Sequence, residues 1–343
     1  MSVQILPASL ESHQDDLIGL FKRYLASYFN ENRFCWLYKQ NPYGPARAWI
    51  ALDDSKGTVI GAAAAFPRRY YFQGTEMSAL VLGDFCLSEE FRSLGPALKL
   101  QRACMQSLEP PYDFLYDFPS KPMMAIYSRL GVPQTSTFAR WAKPLRMEDK
   151  LESVVHSKTA AALLGKVGNI VLDSRGWRGT KEFCEIELHR GRCEEEFTTL
   201  DQSLQRTVGI RAARPAAYLN WRFLAHPSGG FSILTARKNG ALIGYVVVRN
   251  ESQDARIVDL VAADEPAVVA RLIDAAVSFL KPGGAKTVSL AAGDGHPWYS
   301  LFERTGFRRR EASPVVVVSR TGATIKDADF KAQCYLMEGD RDS

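Results

Sequence analysis

The sequence predicts an α/β protein made of two copies of one structural unit. Short apolar segments with strand character alternate with segments whose apolar residues recur at helical spacing, which is typical of α/β architectures. Landmark residues of the first half then reappear in the same order in the second half. A chain of 343 residues also has the length of about two ordinary domains.

The repeat rests on four matched landmarks. The segment RFCWLYKQNP at 33–42 matches YLNWRFLAHP at 218–227, and each has a tryptophan six residues before a proline. Three more pairs follow in the same order: Gly61 with Gly244, Asp84 with Asp259, and Tyr127 with Phe302. The last two landmarks are 43 residues apart in both halves. Four matches in one order indicate two copies of an α/β unit.

The first half reads as a succession of strands and helices. The pattern predicts, in order, a strand at 3–8, a helix within 10–29, strands at 47–54, 58–72 and 76–87, a helix at 95–108, a strand at 112–118 and a helix at 121–130. In the second half, SPVVVVS at 313–319 predicts a buried strand. Residues 142–180 are more polar than their surroundings. We therefore predict an N-terminal domain at 1–145, a linker at 146–180 and a C-terminal domain at 181–343.

Composition and charge describe an ordinary globular chain, with 46% hydrophobic and 24% charged residues. The net charge of +5 is too mild to indicate nucleic-acid binding and suits an anionic cofactor or substrate. No run reaches the roughly 18–20 apolar residues that span a bilayer, and the first residues lack the regions of a signal peptide. Six scattered cysteines without a CxxC pair predict reduced thiols in a cytoplasmic protein. The five histidines lack metal-ligand spacing, so no metal site is predicted.

The segment EEFRSLGPALKL at 89–100 is the main candidate binding feature. A predicted strand leads into Arg92, a short turn with Gly95 and Pro96, and then a helix. Unsatisfied N–H groups and a partial positive charge make a helix N-terminus a site for phosphate. A turn of small residues lets those amides approach phosphate oxygens, and Arg92 adds a cation at its rim. The alternative interpretation is a capping loop with an exposed arginine.

In its context this segment resembles the GNAT superfamily of acyl-CoA N-acyltransferases. LSEEFRSLGPALKL at 87–100 is similar to the family's Arg/Gln-x-x-Gly-x-Gly/Ala turn, and MAIYSRLGV at 124–132 is similar to its tyrosine-containing late helix. FCWLYKQNPYGPA, DFPSKP, YLNWRFLAHP and the terminal MEGDRD are similar to a bacterial subgroup with two such domains. The resemblance implies two GNAT-like domains, each a mixed, mostly antiparallel sheet flanked by helices.

The resemblance also implies that the N-terminal domain binds acetyl-CoA, whose thioester is attacked directly by a substrate amine. It places the CoA pyrophosphate on the turn and on the first amides of the following helix, and the pantetheine arm along the preceding strand. The residues implied in binding acetyl-CoA are Phe85, Leu87, Arg92, Leu94, Gly95, Ala97 and Leu98.

Three residues are candidates for the chemistry. Tyr127 matches the family's usual proton donor to the departing thiolate, and a tyrosine with its ordinary pKa of about 10 is protonated at neutral pH. Asp84 and Asp117 are candidates for the base that takes the proton of the amine. Either aspartate is alternatively a structural hydrogen-bond acceptor. The match of Asp84 with Asp259 in the second copy favours that structural role for Asp84.

The second copy departs from the binding pattern. Where the first copy has its turn with Arg92 and Gly95, the second has VAADEPAVV at 261–269, which contains two acids, Asp264 and Glu265, and neither arginine nor glycine. Phe302 stands where the first copy has Tyr127. We predict a degenerate domain that shapes the site for the acceptor. Within the first copy, Ser120 stands where the subgroup often has asparagine.

The predicted acceptor is a primary amine of a small molecule, such as an amino sugar or an amino acid derivative, with no nucleic acid and no membrane as partner. Two alternatives stay open at this point. One is a non-catalytic CoA-binding or interaction module, and the other is a tRNA-dependent aminoacyl transferase of related topology.

Overall fold

The computed structural model describes residues 3–145, 184–206, 209–263 and 265–341. These residues form a mixed, mostly antiparallel sheet of 13 strands, flanked by helices. The linker predicted at 146–180 lies outside the described residues.

The strands and helices have the following bounds. The strands are β1 (Val3–Pro7), β2 (Arg47–Asp53), β3 (Thr58–Phe72), β4 (Thr75–Leu87), β5 (Phe114–Asp117), β6 (Ser136–Pro144), β7 (Glu185–Leu188), β8 (Ile210–Ala212), β9 (Phe231–Lys238), β10 (Ala241–Arg249), β11 (Asp254–Ala262), β12 (Thr287–Gly293) and β13 (Arg308–Ser319). The helices are α1 (Gln14–Tyr24), α2 (Glu31–Phe34), α3 (Leu94–Met105), α4 (Lys121–Arg129), α5 (Glu195–Ser203), α6 (Ala216–Leu219), α7 (Pro266–Leu280), α8 (Tyr299–Arg304) and α9 (Asp329–Ala332). The elements predicted for the first half are confirmed, although α1 begins at Gln14 rather than near residue 10.

The two halves carry the same succession of strand pairings. Strands β1 to β4 are antiparallel neighbours and β4 then pairs in parallel with β5, while β9 to β11 are antiparallel and β11 pairs in parallel with β12. The halves also exchange strands, because β13 pairs with β5 and β6 pairs with β12. Strands β6 and β13 pair with each other at the centre. One continuous sheet therefore runs through both halves.

The matched glycines occupy equivalent places where two strands approach closely. A Cβ atom on Gly61 would lie 2.9 Å from the carbonyl oxygen of Cys86, and one on Gly244 would lie 2.9 Å from that of Val261. Real Cβ atoms do not approach so closely, so both strands need glycine here. Each half also has a β-bulge nearby, at Asp84 in β4 and next to Asp259 in β11.

The two matched tryptophans meet each other. Short π-helical turns at Cys35–Lys39 and Asn220–Leu224 carry Trp36 and Trp221, whose rings stack with centroids 5.1 Å apart. The indole N–H of each ring donates to the backbone carbonyl of the other tryptophan, both at 2.8 Å. The buried indoles are thus fully hydrogen-bonded, and they join the halves in a nearly two-fold arrangement.

The last residues of the described chain lie between β11 and β12. These strands pair only from Asp254 to Ile257, and beyond that point they diverge. Met337 forms a bridge to Ala292, and the amide of Gly293 donates to the carbonyl of Leu336 at 3.0 Å. We call residues 334–341 the C-terminal tail. It fills the gap between the diverging strands of the second half.

No helix among the described residues is long and apolar enough to cross a bilayer.

Candidate active site

A cavity of about 610 Å³ lies where β4 and β5 diverge in the first half. The two strands pair only over three positions, from Ala79 opposite Phe114 to Val81 opposite Tyr116. Beyond them, the C-terminal part of β4 forms one wall, and α3 and α4 provide others. Its lining includes backbone and side chains of Gly83, Phe85, Leu87, Arg92, Leu94, Ala97, Gln101, Asp117, Ser120 and Arg341. This cavity contains most of the residues that the sequence predicts as functional.

One end of the cavity is the N-terminus of α3. Ser93 is the N-cap residue without a side-chain cap, so the first amides of the helix have no local side-chain acceptor. The amide of Ala97 donates to the carbonyl of Ser93 at 3.3 Å, and that of Leu98 lies one residue deeper in the helix. The amides of Leu94 and Gly95 therefore belong to the first turn, which lacks intrahelical acceptors. A Cβ on Gly95 would meet no atom within 4 Å, so nothing covers the turn at this point. Leu94 and Ala97 line the cavity, whereas Gly95 and Leu98 are not among its lining residues.

Arg92 stands at the rim of this turn. Its Nε donates to the carbonyl of Leu87 at 3.1 Å, and its guanidinium lies over the ring of Tyr24 at 5.5 Å. These contacts hold the side chain while leaving the remaining N–H groups of the guanidinium available. A cation beside free helix amides can bind a pyrophosphate.

The wall formed by β4 is irregular at its bulge. Asp84 has a φ of 47°, and β3 and β4 lose register here, with Ala62 opposite Cys86 but Ala64 opposite Gly83. Phe85 and Leu87 follow the bulge and line the cavity. Because β5 has diverged from this part of β4, an extended ligand could lie against the free edge of the strand.

At the other end of the cavity, hydrogen bonds link Asp117 to Tyr127 and Tyr127 to Gln101, and these three residues lie on three different elements. Asp117 is the last residue of β5, and its Oδ2 accepts a hydrogen bond of 2.6 Å from the hydroxyl of Tyr127 on α4. The same hydroxyl accepts from Nε2 of Gln101 on α3 at 2.8 Å. Burial first, and then the charge of Asp117, raise the pKa of Tyr127 well above its ordinary value. Asp117 and Gln101 line the cavity, whereas the fully buried Tyr127 lies behind them.

Asp84 has a different environment from Asp117. Its Oδ2 accepts from the hydroxyl of Tyr38 at 2.8 Å, and Asp84 is not among the residues that line the cavity. Burial, followed by the charge of Asp84, raises the pKa of Tyr38 well above its ordinary value. The structure thus brings Asp117 and Tyr127 together at the cavity and places Asp84 with Tyr38 behind the bulge.

The cavity also contains two thiols, which are poor nucleophiles. Burial raises the pKa of Cys86 to about 12, and burial raises the pKa of Cys104 far above its ordinary value. The thiol of Cys104 points to the carbonyl of Ala64 at 3.7 Å. Since the thiolate is the nucleophile, neither cysteine is suited to forming an acyl-enzyme at neutral pH. Ser120 instead caps α4, accepting from the amide of Met123 at 3.4 Å.

Three solved structures share this architecture. A GCN5-related N-acetyltransferase from Anabaena variabilis ATCC 29413 has a TM-score of 0.65 and 15% identity, covering 92% of this chain and 72% of that one. A probable N-acyltransferase from Enterococcus faecalis V583 has a TM-score of 0.63 and 14% identity, covering 93% and 72%. A GCN5-related N-acetyltransferase from Kribbella flavida has a TM-score of 0.61 and 14% identity, also covering 93% and 72%. No family model and no curated protein matches the sequence.

The chain has the GNAT fold.

In this GNAT fold, the described residues of the second half differ from the first at both places that correspond to the ends of the cavity. The C-terminal tail fills the gap between β11 and β12. Glu265 is the N-cap residue of α7, and Phe302 is buried in the position matching Tyr127. Asp264 lies outside the described residues. Asp259 is a structural acceptor here, because its Oδ2 accepts from Nε of the buried Arg214 at 2.8 Å.

Sequence reasoning missed three residues of this GNAT fold. Gln101 interrupts the buried face of α3 between Ala97 and Cys104, and a polar residue at such a position could have indicated the site. Arg341 reaches the cavity from the C-terminal tail, which local patterns could not predict. Arg68 is 2% exposed, with its guanidinium over Trp221 at 5.3 Å, because the second half packs against it.

Proposed function

We propose that this protein is an N-acyltransferase that moves the acetyl group of acetyl-CoA to a primary amine of a small molecule. The observation that carries the proposal is the cavity between β4 and β5, which has the N-terminus of α3 with Arg92 at one end and a hydrogen-bonded carboxylate at the other. The GNAT fold agrees with this assignment, since the three solved structures described above are called N-acetyltransferases or a probable N-acyltransferase.

The first half, residues 1–145, would hold acetyl-CoA. The amides of Leu94 and Gly95 and the guanidinium of Arg92 would bind the pyrophosphate, and Ala97 and Leu98 would bring the helix backbone close to it. The pantetheine arm would lie along Phe85 and Leu87. The second half, residues 181–343, would be a degenerate copy that shapes the acceptor site.

The thioester supplies an activated acyl carbon, to which the amine nitrogen bonds as the carbon–sulfur bond breaks. One proton must leave the nitrogen and one must reach the sulfur. Asp117 is the candidate for the first transfer because its carboxylate borders the cavity. Tyr127, the candidate for the second transfer, lies behind Asp117 and holds its carboxylate through a 2.6 Å hydrogen bond. Its proton would therefore reach the sulfur through Asp117, once Asp117 has gained one from the amine. Asp84 would be a structural residue of the bulge.

The test is amine-dependent release of the CoA thiol. Purified protein is incubated with acetyl-CoA and a panel of primary amines that includes amino sugars and amino acids, and free thiol is measured. We expect at least one amine to promote release. Asp117→Asn should lower kcat by roughly 10²-fold or more, because general base catalysis contributes about that much. Binding of acetyl-CoA without thiol release for any amine would favour the non-catalytic alternative, and failure to bind acetyl-CoA would reject the proposal.

A further inference from the structure

A second cavity, of about 420 Å³, lies between the two halves. Tyr28 and Arg33 contribute to it from the first half, and the rest of its lining comes from the second half. Its charged lining residues are Arg33, Arg222, Arg249, Arg256, Glu251 and Glu338. Four guanidinium groups therefore face two carboxylates, which makes the lining strongly basic.

The two carboxylates both form ion pairs with arginines on one side of this cavity. Glu251 forms an ion pair with Arg249 at 3.3 Å and another with Arg256, and Glu338 also pairs with Arg256. Arg222 donates to the carbonyl of Gly339 at 3.2 Å and to that of Arg341 at 3.2 Å. Neither glutamate is bonded to Arg33.

Arg33 is the unusual member of the set. It is 8% exposed, and within the described part of the chain no carboxylate lies at ion-pair distance from its guanidinium. Its Nε is buried without a hydrogen-bond partner, and its guanidinium faces the rings of Phe29 at 5.4 Å and Tyr28 at 5.9 Å. A buried charge is costly unless it is paired. An anionic ligand in the cavity would provide the missing partner.

His226 also lines the second cavity, among the same guanidinium groups. Burial and then the charges of Arg222, Arg33 and Arg249 lower the pKa of His226 to about 3. The imidazole is therefore neutral at neutral pH and adds no charge of its own. Its Nδ1 lies 2.8 Å from the hydroxyl of Ser228, which also lines the cavity.

Two segments of the chain contribute to the linings of both cavities. After α1, Tyr24 and Leu25 line the first cavity and Tyr28 lines the second. In the C-terminal tail, Arg341 lines the first and Glu338 lines the second. Residues 338–340 form a 3₁₀ turn, whose rise of about 2 Å per residue puts Glu338 and Arg341 roughly 6 Å apart. These shared segments support an acceptor that contacts both cavities.

We propose that the second cavity binds an anionic group of the acceptor, a carboxylate or a phosphate, with Arg33 as its principal partner. The inference rests on the proposed acyltransferase function and assigns the chemical class of the amine. Guanidinium groups recognise both anions through paired N–H···O bonds. The acceptor would then be an amino acid or an amino sugar phosphate rather than a simple amine.

Direct binding is the first test. Inorganic phosphate and acetate are titrated into the protein at constant ionic strength, and the midpoint of thermal unfolding is measured, since a ligand of the folded state raises it. Wild type is compared with Arg33→Met and with the control Arg69→Met, which removes an exposed arginine paired with Glu76. We expect a saturable rise in wild type and in Arg69→Met, with a clear loss in Arg33→Met. The anion with the stronger effect identifies the preferred group. Equal behaviour of all three proteins would overturn the proposal.

The second test uses pairs of acceptors that differ only in the anionic group, such as an amino acid and the amine without its carboxylate. In Arg33→Met the preference for the anionic member, as a ratio of kcat/KM values, should fall at least tenfold. Arg33→Lys, which keeps the charge, should retain part of the preference for the anionic acceptor. If Arg33→Met fails to fold, Arg33→Gln takes its place. An unchanged preference during normal turnover would reject the anion site and leave the acyltransferase intact. Absence of any turnover would reject the acyltransferase, and the titration would then decide the anion site by itself.

Discussion

The phenol of Tyr127 has two polar neighbours, and both constrain its chemistry. Its proton is directed to Asp117, and its oxygen accepts from Gln101. Release of that proton while Asp117 is ionised would place a phenolate beside a carboxylate in a buried site, which is unfavourable. Tyr127 can act as a donor only after Asp117 has taken a proton. The pair therefore works best as a relay from the amine nitrogen to the sulfur.

Tyr127→Phe should accordingly lower kcat by about 10-fold or more while leaving acetyl-CoA affinity near the wild-type value, because proton transfer contributes about 10²–10⁴-fold. The loss of activity on the acid side should also move to higher pH. The carboxylate of Asp117 would lose a hydrogen-bond donor that favours its charged form, so it would take up a proton more readily. Steady-state kinetics across the pH range and calorimetry with CoA measure both effects.

Tyr38→Phe is the matched control. It also removes one buried phenol that donates to an aspartate, but here the acceptor is Asp84 behind the bulge. We expect wild-type kcat from this variant. A large loss in Tyr38→Phe with none in Tyr127→Phe would move the base from Asp117 to Asp84.

At the scale of elements, the most specific prediction concerns CoA binding at the N-terminus of α3. Gly95→Glu places a carboxylate at the second position of the helix, in the space assigned to the pyrophosphate. It should abolish measurable CoA binding while the protein remains folded, because a Cβ at Gly95 meets nothing within 4 Å. A glutamate in the first turn even favours the helix by about 0.3–1 kcal/mol. Calorimetry with CoA, alongside thermal unfolding, measures both.

Ala267→Glu provides the control for added charge. Ala267 has the same position in α7 as Gly95 has in α3, the second residue of the helix. This variant should bind CoA like the wild type. If Gly95→Glu also retained wild-type affinity, the pyrophosphate would have to bind elsewhere.

The sequence predicted the individual strands and helices better than it predicted which of them pair or pack together. Local periodicity is sufficient for β3 or α3, and the turn from Arg92 to Ala97 could be recognised because its chemistry is contained in six residues. The pairing of β6 with β12 could not be predicted, since an alternating strand does not specify its partner. Arg33 was missed for the same reason. That no carboxylate of the described residues pairs with its guanidinium can be seen only once the second half is packed against it.

At the scale of the whole molecule, the centre is a buried ionic network. Arg214 bonds to Asp259 at 2.8 Å and to Asp340 at 2.6 Å, and all three side chains are almost fully buried. Burial by itself lowers the pKa of Arg214, but the charges of Asp259 and Asp340 raise it by more. The pKa is therefore well above its ordinary value. Asp340 thereby fixes the C-terminal tail. The hydroxyl of Tyr116, in the first half, also donates to the carbonyl of Asp340 at 2.7 Å, so the same residue joins both halves.

This tail has a consequence for the number of CoA sites. For CoA to bind the second half as it binds the first, the tail would have to leave the gap between β11 and β12. Exposing the side chains of Leu336 and Met337 would cost about 3 kcal/mol or more. Separating Asp340 from Arg214 would add to this cost, while Arg214 would keep Asp259 as its partner. A micromolar ligand binds with only about 8 kcal/mol, so a large part of its affinity would be lost.

We therefore predict one CoA per chain, bound by the first half. Glu265 at the start of α7 would further repel phosphate, and Phe302 provides no proton donor. Titration calorimetry of the folded protein with CoA should give a stoichiometry near one, and Gly95→Glu should reduce the heat to that of dilution. A stoichiometry near two in the wild type would show that the tail does not close the second gap.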